Sequence, residues 1–186
     1  MAIPFKDLTE KESPGSAGYL KFVTLPNDEW LGALFLMDGR GEPVEFTHAR
    51  LRAPSSLLWR PDDLRMHCVR SLCGAMFDTC PAVPLFILCL AEEVGPHLFS
   101  EHLRVDVPLG RVARSDIPVT LSPAESAEHA PSGGEQTDLS VYWTQAPEAD
   151  SDARGLFDAV SSYAMLLEPF QRAEAGLREV YPDEVV

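Results

Sequence analysis

The sequence predicts an α/β protein with a mixed sheet, on the strength of three observations. Two apolar runs, WLGALFLM at 30–37 and VPLFILCL at 83–90, contain no charged residue and are typical of strands covered on both faces. The letters DGRGEP, after the first run and before a more polar extended run, predict a tight hairpin. A stretch with helical periodicity at 61–79 precedes the second apolar run, which favours a right-handed parallel crossover.

Three N-terminal strands are predicted from β-branched and aromatic residues that stand between turn signals. They span residues 18–25, 30–37 and 44–51. Pro26 and Asn27 mark the first turn, and glycine in the DGRG segment supplies the positive φ that the following hairpin needs. Charged side chains in the third strand indicate that its far end emerges into solvent. An antiparallel meander of three strands follows.

The first long helix is predicted to begin at Pro61 and to end near Thr79. Proline is tolerated at the first helical position, and Asp62 and Asp63 favour the positive end of the helix dipole. Its main apolar stripe consists of Leu64, Cys68, Leu72, Ala75 and Met76. A face of this width predicts that the helix packs across the sheet.

The chain after the second apolar run is less regular. We predict a short helix at 95–103 and a fifth strand at 104–109, whose charges alternate outward. Residues 113–140 are rich in Pro, Ser, Gly and Glu, so they cannot bury enough apolar surface to offset the entropy of ordering. A disordered acidic loop is expected there.

A brief strand at 141–144 and a final helix complete the predicted elements. Ser151 or Asp152 caps that helix, and Pro169 must kink or break it. The predicted organisation is a flexible leader at 1–17, an α/β core at 18–112, the disordered loop at 113–140, and a C-terminal segment at 141–186 that packs on the core.

Charge and composition limit the function classes. The formal charge is −14, and the acidic part from residue 116 onward holds only the bases Arg154, Arg172 and Arg178. Nucleic-acid phosphates repel such a chain outside a local basic patch, so nucleic acid is not expected as its main ligand. No apolar segment resembles a membrane span or a signal peptide, which favours a cytoplasmic location. No phosphate-binding glycine motif occurs, and we predict no cofactor.

Cysteine spacing argues against a zinc or redox site. No two of the four cysteines have C-x-x-C spacing. The four are Cys68, Cys73, Cys80 and Cys89. We predict that they are reduced and mostly buried, and that they bind no metal.

Two groups of polar residues are candidate sites. Asp38 follows a buried strand and Glu92 and Glu93 follow another, so the three carboxylates are a candidate metal site; the simpler interpretation is a hairpin turn and a solvated loop. An arginine patch around a tryptophan is a candidate surface for a protein partner, because these residue types dominate interface hot spots. Its members are Arg50, Arg52, Trp59, Arg60 and Arg65.

The order β-β-β-α-β-α-β resembles the RNase H-like fold. The resemblance implies that a nuclease of this type holds a divalent metal ion with an aspartate in the middle of its first strand. Here that strand reads YLKFVTL at 19–25, with Lys21 and no acid. The difference argues against metal-dependent phosphodiester chemistry, and fold alone implies no activity.

A second resemblance concerns cellular context. Residues 30–52, together with LLWRPDDLR and LFILCLAEEVGPHLF, resemble an uncharacterised family of small bacterial proteins accessory to antiviral or CRISPR-type genes. The favoured hypothesis is therefore a non-enzymatic accessory or adaptor protein that binds a protein partner. One alternative is a divergent metal-dependent nuclease of RNase H-like fold that uses Asp38 with Glu92 or Glu93. Another is a nucleic-acid or small-ligand sensor that acts through the arginine patch.

Overall fold

A seven-stranded mixed sheet with helices on both faces forms the protein. The computed structural model describes residues 15–130, 138–163 and 165–182. The strands are β1 Ala17–Leu25, β2 Glu29–Met37, β3 Pro43–Arg52, β4 Phe86–Leu90, β5 Leu109–Arg114, β6 Ser126–Ala130 and β7 Leu139–Gln145. The helices are α1 Pro61–Thr79, α2 Asp152–Ser162 and α3 Glu168–Val180.

The strand order is β3-β2-β1-β4-β5-β7-β6. The first three strands pair antiparallel, β1 pairs parallel with β4, and β4 pairs parallel with β5. Strands β5, β7 and β6 then pair antiparallel. The predicted class, an antiparallel meander followed by parallel crossovers, is confirmed. The predicted leader falls mostly outside the described residues, and its last residue, Ala17, begins β1.

Two apolar clusters cover the two faces of the sheet. On β1, Tyr19 points to the cluster formed with α2 and α3, whereas Leu20 and Phe22 point to the cluster formed with α1. This alternation follows from the two-residue period of a strand. Tyr19 meets the ring of Phe170 edge-on at 5.3 Å and donates a 2.9 Å hydrogen bond to the carbonyl oxygen of Met165. These contacts fix α3 over the centre of the sheet.

The C-terminal helix is broken as Pro169 predicted. The Ser151 hydroxyl accepts a 3.2 Å hydrogen bond from the backbone N–H of Arg154, so Ser151 is the N-cap of α2. Helix α2 ends at Ser162, and Pro169 lies in the first turn of a separate helix, α3. Proline suits that position because its missing N–H has no partner there.

The fifth strand lies later in the chain than predicted. The prediction placed it at 104–109, whereas β5 spans Leu109–Arg114. Arg104 and Asp106 gave the alternation that suggested a strand, but they belong to the connection before it. The real strand carries the almost fully buried Arg111, 2% exposed, and a charged residue in a central strand argues against a strand when only the sequence is read.

The prediction of a disordered loop at 113–140 is wrong for part of its length. Residues 126–130 form β6, which pairs antiparallel with β7. Glu128 of this strand accepts a 2.7 Å hydrogen bond from the Trp143 indole and bonds of 2.6 and 3.1 Å from Arg154. Charge-assisted bonds supply the ordering that apolar burial cannot. Residues 131–137 of the predicted loop lie outside the described residues.

The cysteines are free thiols. Cys68, Cys73 and Cys89 are buried and Cys80 is half-buried, as the prediction of mostly buried thiols requires. In the described part of the chain, every helix is too short or too polar to cross a membrane.

Candidate functional site

A crevice lies at one edge of the sheet, where the parallel strands end. Since β1, β4 and β5 run in the same direction, their carboxyl ends meet at this edge. The crevice encloses about 530 Å³ between that edge and α3. Its charged lining residues are Lys21, Glu92, Arg111, Arg114 and Glu174. Ligands of open α/β sheets commonly bind outside the carboxyl ends of the strands.

Lys21 is the centre of a charged cluster at the floor of this crevice. Its ammonium group forms an ion pair with the Glu93 carboxylate and lies 3.4 Å from an oxygen of Glu174. The second oxygen of Glu93 accepts a 3.0 Å hydrogen bond from the backbone N–H of Phe22. Strand alternation directs Lys21 toward α3, and the turn after β4 directs Glu93 back toward β1. We call these three charged residues, Lys21, Glu93 and Glu174, the lysine cluster.

Burial and charge act in opposite directions on the cluster. Burial by itself lowers the pKa of Lys21, but its hydrogen bond to Glu93 and the negative charges beside it outweigh burial and raise that pKa. Burial raises the pKa of Glu93, and the bonds from Lys21 and Phe22 oppose the rise. For Glu174, hydrogen bonds from Arg178 and Lys21 outweigh burial and lower the pKa. Lys21 is therefore a fixed positive charge at neutral pH.

A buried ion pair holds one wall of the crevice. The Arg111 guanidinium donates two hydrogen bonds to Glu125, and both side chains are almost inaccessible to solvent. Arg111 also donates to the carbonyl oxygens of Val94 and Thr120, at 3.1 and 2.9 Å. One side chain thus joins β5 to two loops that line the crevice. Arg114, two residues further along β5, stands half exposed at the rim.

Helix α1 supports the turn that carries Glu92 and Glu93. Arg65 donates to the carbonyl oxygen of Glu93 at 3.2 Å and to that of Glu92 at 3.0 Å. Because these bonds use the backbone carbonyl oxygens, the side-chain carboxylates of Glu92 and Glu93 take no part in them. The side chain of Glu92 is exposed at the crevice, whereas Glu93 is buried behind Lys21.

The structure does not bring Asp38 to Glu92 and Glu93. Strand β2 ends beside Ala17, at the start of β1, whereas Glu93 binds Phe22 further along the same strand. Five strand residues separate the two positions by roughly 16 Å. Asp38 instead accepts 2.9 Å hydrogen bonds from the backbone N–H groups of Arg40 and Glu42, and so stabilises the hairpin turn.

The arginine patch is divided between the two faces of the sheet. Arg50 lies on the α3 face, where it pairs with Glu29 at 2.5 Å. Arg52 shares that face by strand alternation. Trp59, whose ring lies 5.0 Å from that of His67, belongs to the α1 face with Arg60 and Arg65. Only Arg65 reaches the turn at the crevice.

Sequence reasoning missed Glu174 and Arg111. A helix surface normally carries glutamates, so nothing in the local pattern separates Glu174 from its neighbours. Lys21 offered the available signal, because a lysine within a buried strand requires an acidic partner. The partner's identity depends on long-range packing, and Glu93 is 72 residues away in the chain.

The residues present do not fit a divalent metal ion. Among residues 15–130, 138–163 and 165–182, no group of three or more His, Cys, Asp or Glu side chains is arranged to hold one. At the crevice floor the two nearest carboxylates, those of Glu93 and Glu174, already share the Lys21 ammonium. A metal ion there would face a fixed positive charge.

Solved structures with a similar fold are nucleases. The catalytic domain of human Endonuclease V matches with a TM-score of 0.55 and 14% identity, over 96% of this chain and 89% of that one. A structure of human ENDOV matches with a TM-score of 0.56 and 11% identity, over 89% and 83%. No protein-family model and no curated protein sequence matches the chain. At this identity the likeness shows the fold, which is RNase H-like.

This likeness overturns the hypothesis of a non-enzymatic adaptor protein. Almost the whole chain superposes on a catalytic domain, which is the arrangement that the nuclease alternative expects. The arginine patch that was to bind a protein partner is not one continuous surface. Nothing in the fold or the comparisons supports an accessory, antiviral or CRISPR role.

Proposed function

We propose that this chain is a divergent nuclease-like protein that binds a nucleic-acid strand in the crevice. The observation that carries the proposal is the position of the lysine cluster. It lies at the ligand-binding edge of a fold that the chain shares, over 96% of its length, with the catalytic domain of human Endonuclease V. The name of that protein identifies an enzyme that acts on nucleic acid.

Arg114 is suited to contact the backbone of a strand. Its side chain is 52% exposed at the rim of the crevice, and its guanidinium lies 3.4 Å from the exposed carboxylate of Asp116. Exposed pairs of this kind contribute little free energy, so a phosphate can replace the aspartate. Arginine binds phosphate through charge-assisted and often bidentate hydrogen bonds.

An exposed apolar segment at the same edge of the sheet, on the α1 face and outside the crevice, offers surface for the bases of a strand that extends beyond the crevice. Leu57 and Leu58 are 88% and 91% exposed, and Trp59 is 39% exposed. They follow the end of β3, which lies beside the start of β2 and hence near the end of β1. Aromatic and apolar side chains next to positive charge are the usual platform for unpaired bases. A single strand therefore suits this edge better than a rigid duplex.

The net charge of −14 limits the strength of this binding. A strand that follows the rim meets few free cationic groups, and the acidic C-terminal part repels more distant phosphates. Each phosphate contact with a single strand contributes a slope of about −0.7 to the dependence of log affinity on log salt. We expect two or three contacts, which correspond to a total slope of about −1.4 to −2.1.

Hydrolysis of the bound strand is the second candidate function. It is favoured by the likeness to a catalytic domain and by Glu93, whose pKa burial raises. A carboxyl group with a raised pKa is the kind of group that serves as a general acid or base. Hydrolysis by this chain would need Glu93 to be reached through Lys21, since Glu93 is 8% exposed.

Fluorescence anisotropy with labelled single-stranded DNA, single-stranded RNA and duplex tests the proposal. We expect a single strand to bind in EDTA, Arg114→Gln to weaken binding about tenfold, and the matched variant Arg40→Gln, at the opposite end of the sheet, to have no effect. Absence of binding by every strand would contradict the proposal. A gel assay of the same mixtures tests the second candidate: cleavage that disappears in Glu93→Gln would establish it.

The cellular setting stays a prediction. Cell fractionation tests the cytoplasmic location, and gene neighbourhood tests the resemblance to proteins of bacterial antiviral genes.

A further inference from the structure

The ammonium group of Lys21 occupies a position that is built for a cation. It meets acids from two different elements, Glu93 in the turn after β4 and Glu174 on α3. Glu93 also receives a backbone N–H from β1, so both of its oxygens are engaged. The arrangement is fixed by the sheet and α3 rather than by a flexible surface contact.

Burial separates this group from ordinary surface ion pairs. The side chains of Lys21 and Glu93 are 13% and 10% exposed, and that of Glu174 is 33% exposed. In the described part of the chain, Lys21 is the one cationic side chain in contact with the Glu93 carboxylate. A carboxylate that is buried to this extent must either pair with a cation or take up a proton.

We propose that Lys21 is the resident cation of the crevice, and that it replaces the divalent metal ion which metal-dependent nucleases of this fold hold with a first-strand aspartate. Lys21 stands in the middle of β1, where such a nuclease requires the aspartate. The change replaces a metal ligand with an ammonium group, which itself supplies the positive charge that Glu93 and Glu174 need. The wild-type crevice is then closed to divalent metal ions.

A single substitution should reopen the site. Lys21→Asp removes the ammonium group and adds a carboxylate on the side of β1 that faces Glu93 and Glu174. The shorter side chain leaves room for an ion between the three carboxylates. Oxygen ligands of this kind suit Mg²⁺ and Mn²⁺. Lys21→Ala removes the ammonium group alone and leaves two carboxylates, so it should bind the same ions more weakly.

Thermal unfolding in EDTA, in millimolar Mg²⁺ and in millimolar Mn²⁺ tests the inference. We expect the Tm of the wild-type protein to be the same in all three. Mn²⁺ should raise the Tm of Lys21→Asp by about 5 °C relative to EDTA, and that of Lys21→Ala by less. The Mn²⁺ spectrum in electron paramagnetic resonance should lose its free-ion signal only with these variants.

Two controls separate a site at the cluster from general attraction of ions to an acidic protein. Lys21→Asp combined with Glu93→Gln should lose the Mn²⁺ effect. Arg114→Asp, which adds the same charge at the rim of the same crevice, should show none. Wild-type protein that gains stability with Mn²⁺ through Glu93 would overturn the inference, and so would folded Lys21→Asp and Lys21→Ala proteins that bind no Mn²⁺.

Failure of a variant to fold does not remove the test. If Lys21→Asp is unfolded in EDTA, recovery of its circular dichroism in Mn²⁺ is the expected result, and the wild-type and Lys21→Ala titrations decide the matter in any case. The inference does not rest on the proposed function, because no nucleic acid is present. Failure of strand binding and failure of the metal titration are thus separate results.

Discussion

Arg111 and Glu125 form a bidentate ion pair, with Nε–Oε1 and Nη2–Oε2 distances of 2.6 and 2.8 Å, inside the wall of the crevice. The pair joins β5 to the segment that leads into β6. Because both side chains are almost inaccessible to solvent, the loss of either partner leaves a buried charge without compensation. The shape of the crevice therefore depends on a buried ion pair, one member of which, Arg111, lines its wall.

Substitution of one member of this pair should destabilise the protein strongly. We expect Arg111→Met or Glu125→Gln to lower the free energy of unfolding by about 3–5 kcal/mol. The matched surface variant is Arg114→Met, whose pair with Asp116 is exposed and should contribute less than about 1 kcal/mol. Urea unfolding measures all three. Equal effects of the buried and the exposed substitutions would contradict this account.

Stability should depend on Lys21 at alkaline pH. Its pKa in the folded protein is raised above the ordinary value of 10.5, so the unfolded chain loses this proton first. The free energy of unfolding should then fall as the pH rises above 10.5 toward the folded pKa. In Lys21→Met this part of the decrease is absent. Unfolding by urea from pH 9 to pH 12, with wild type and variant compared, measures the difference in slope, and identical slopes would refute it.

Asp38 should prove to be a turn residue and nothing more. Asp38→Ala removes the acceptor for the N–H groups of Arg40 and Glu42, which should cost about 1 kcal/mol of stability. Strand binding in the anisotropy assay should stay at the wild-type value, because the turn lies at the opposite end of the sheet. Loss of binding with unchanged stability would restore Asp38 as a site residue.

The thiols should differ in reactivity as their burial differs. Burial raises the pKa of Cys73 and of Cys89, so these thiols are protonated as well as covered. Cys80 is half-buried and should be alkylated first in the native protein. Mass spectrometry after brief treatment with iodoacetamide measures the order. Rapid labelling of Cys73 or Cys89 in folded protein would show that the core opens more readily than its packing implies.

The sequence was informative about the fold because the fold follows from local pattern. Each of these elements could be recognised from its own segment alone: β2 and β4 from their continuous apolar runs, and α1 from the proline at its start. The sequence did not predict β5 and β6 correctly, because charged residues such as Arg111 and Glu128 are typical of loops unless they have a buried partner. Their charges are neutralised by Glu125 and Arg154 only after the chain has folded.

The candidate site was harder to predict for the same reason. Glu92 and Glu93 were found because acids after a buried strand mark the edge where ligands bind. Asp38 was grouped with them because it also follows a buried apolar run, although in an antiparallel meander the end of β2 lies at the edge of the sheet opposite to the end of β4. In the sequence, Lys21 was informative only because it stands where a metal-binding aspartate was expected. In the structure, its ion pairs with Glu93 and Glu174 make it part of the site.

The strand order also determines which strands could pair with a strand of another copy of the protein. Among the strands of the described residues, β3 and β6 stand at the two ends of the sheet, and each has one edge that pairs with none of the other six. β3 begins with a proline and carries arginines, and β6 is only five residues long and contains a glutamate and a histidine. Proline, charge and short length all discourage the addition of a foreign strand. The polar residues that made β6 hard to recognise from the sequence therefore also discourage aggregation at that border of the sheet.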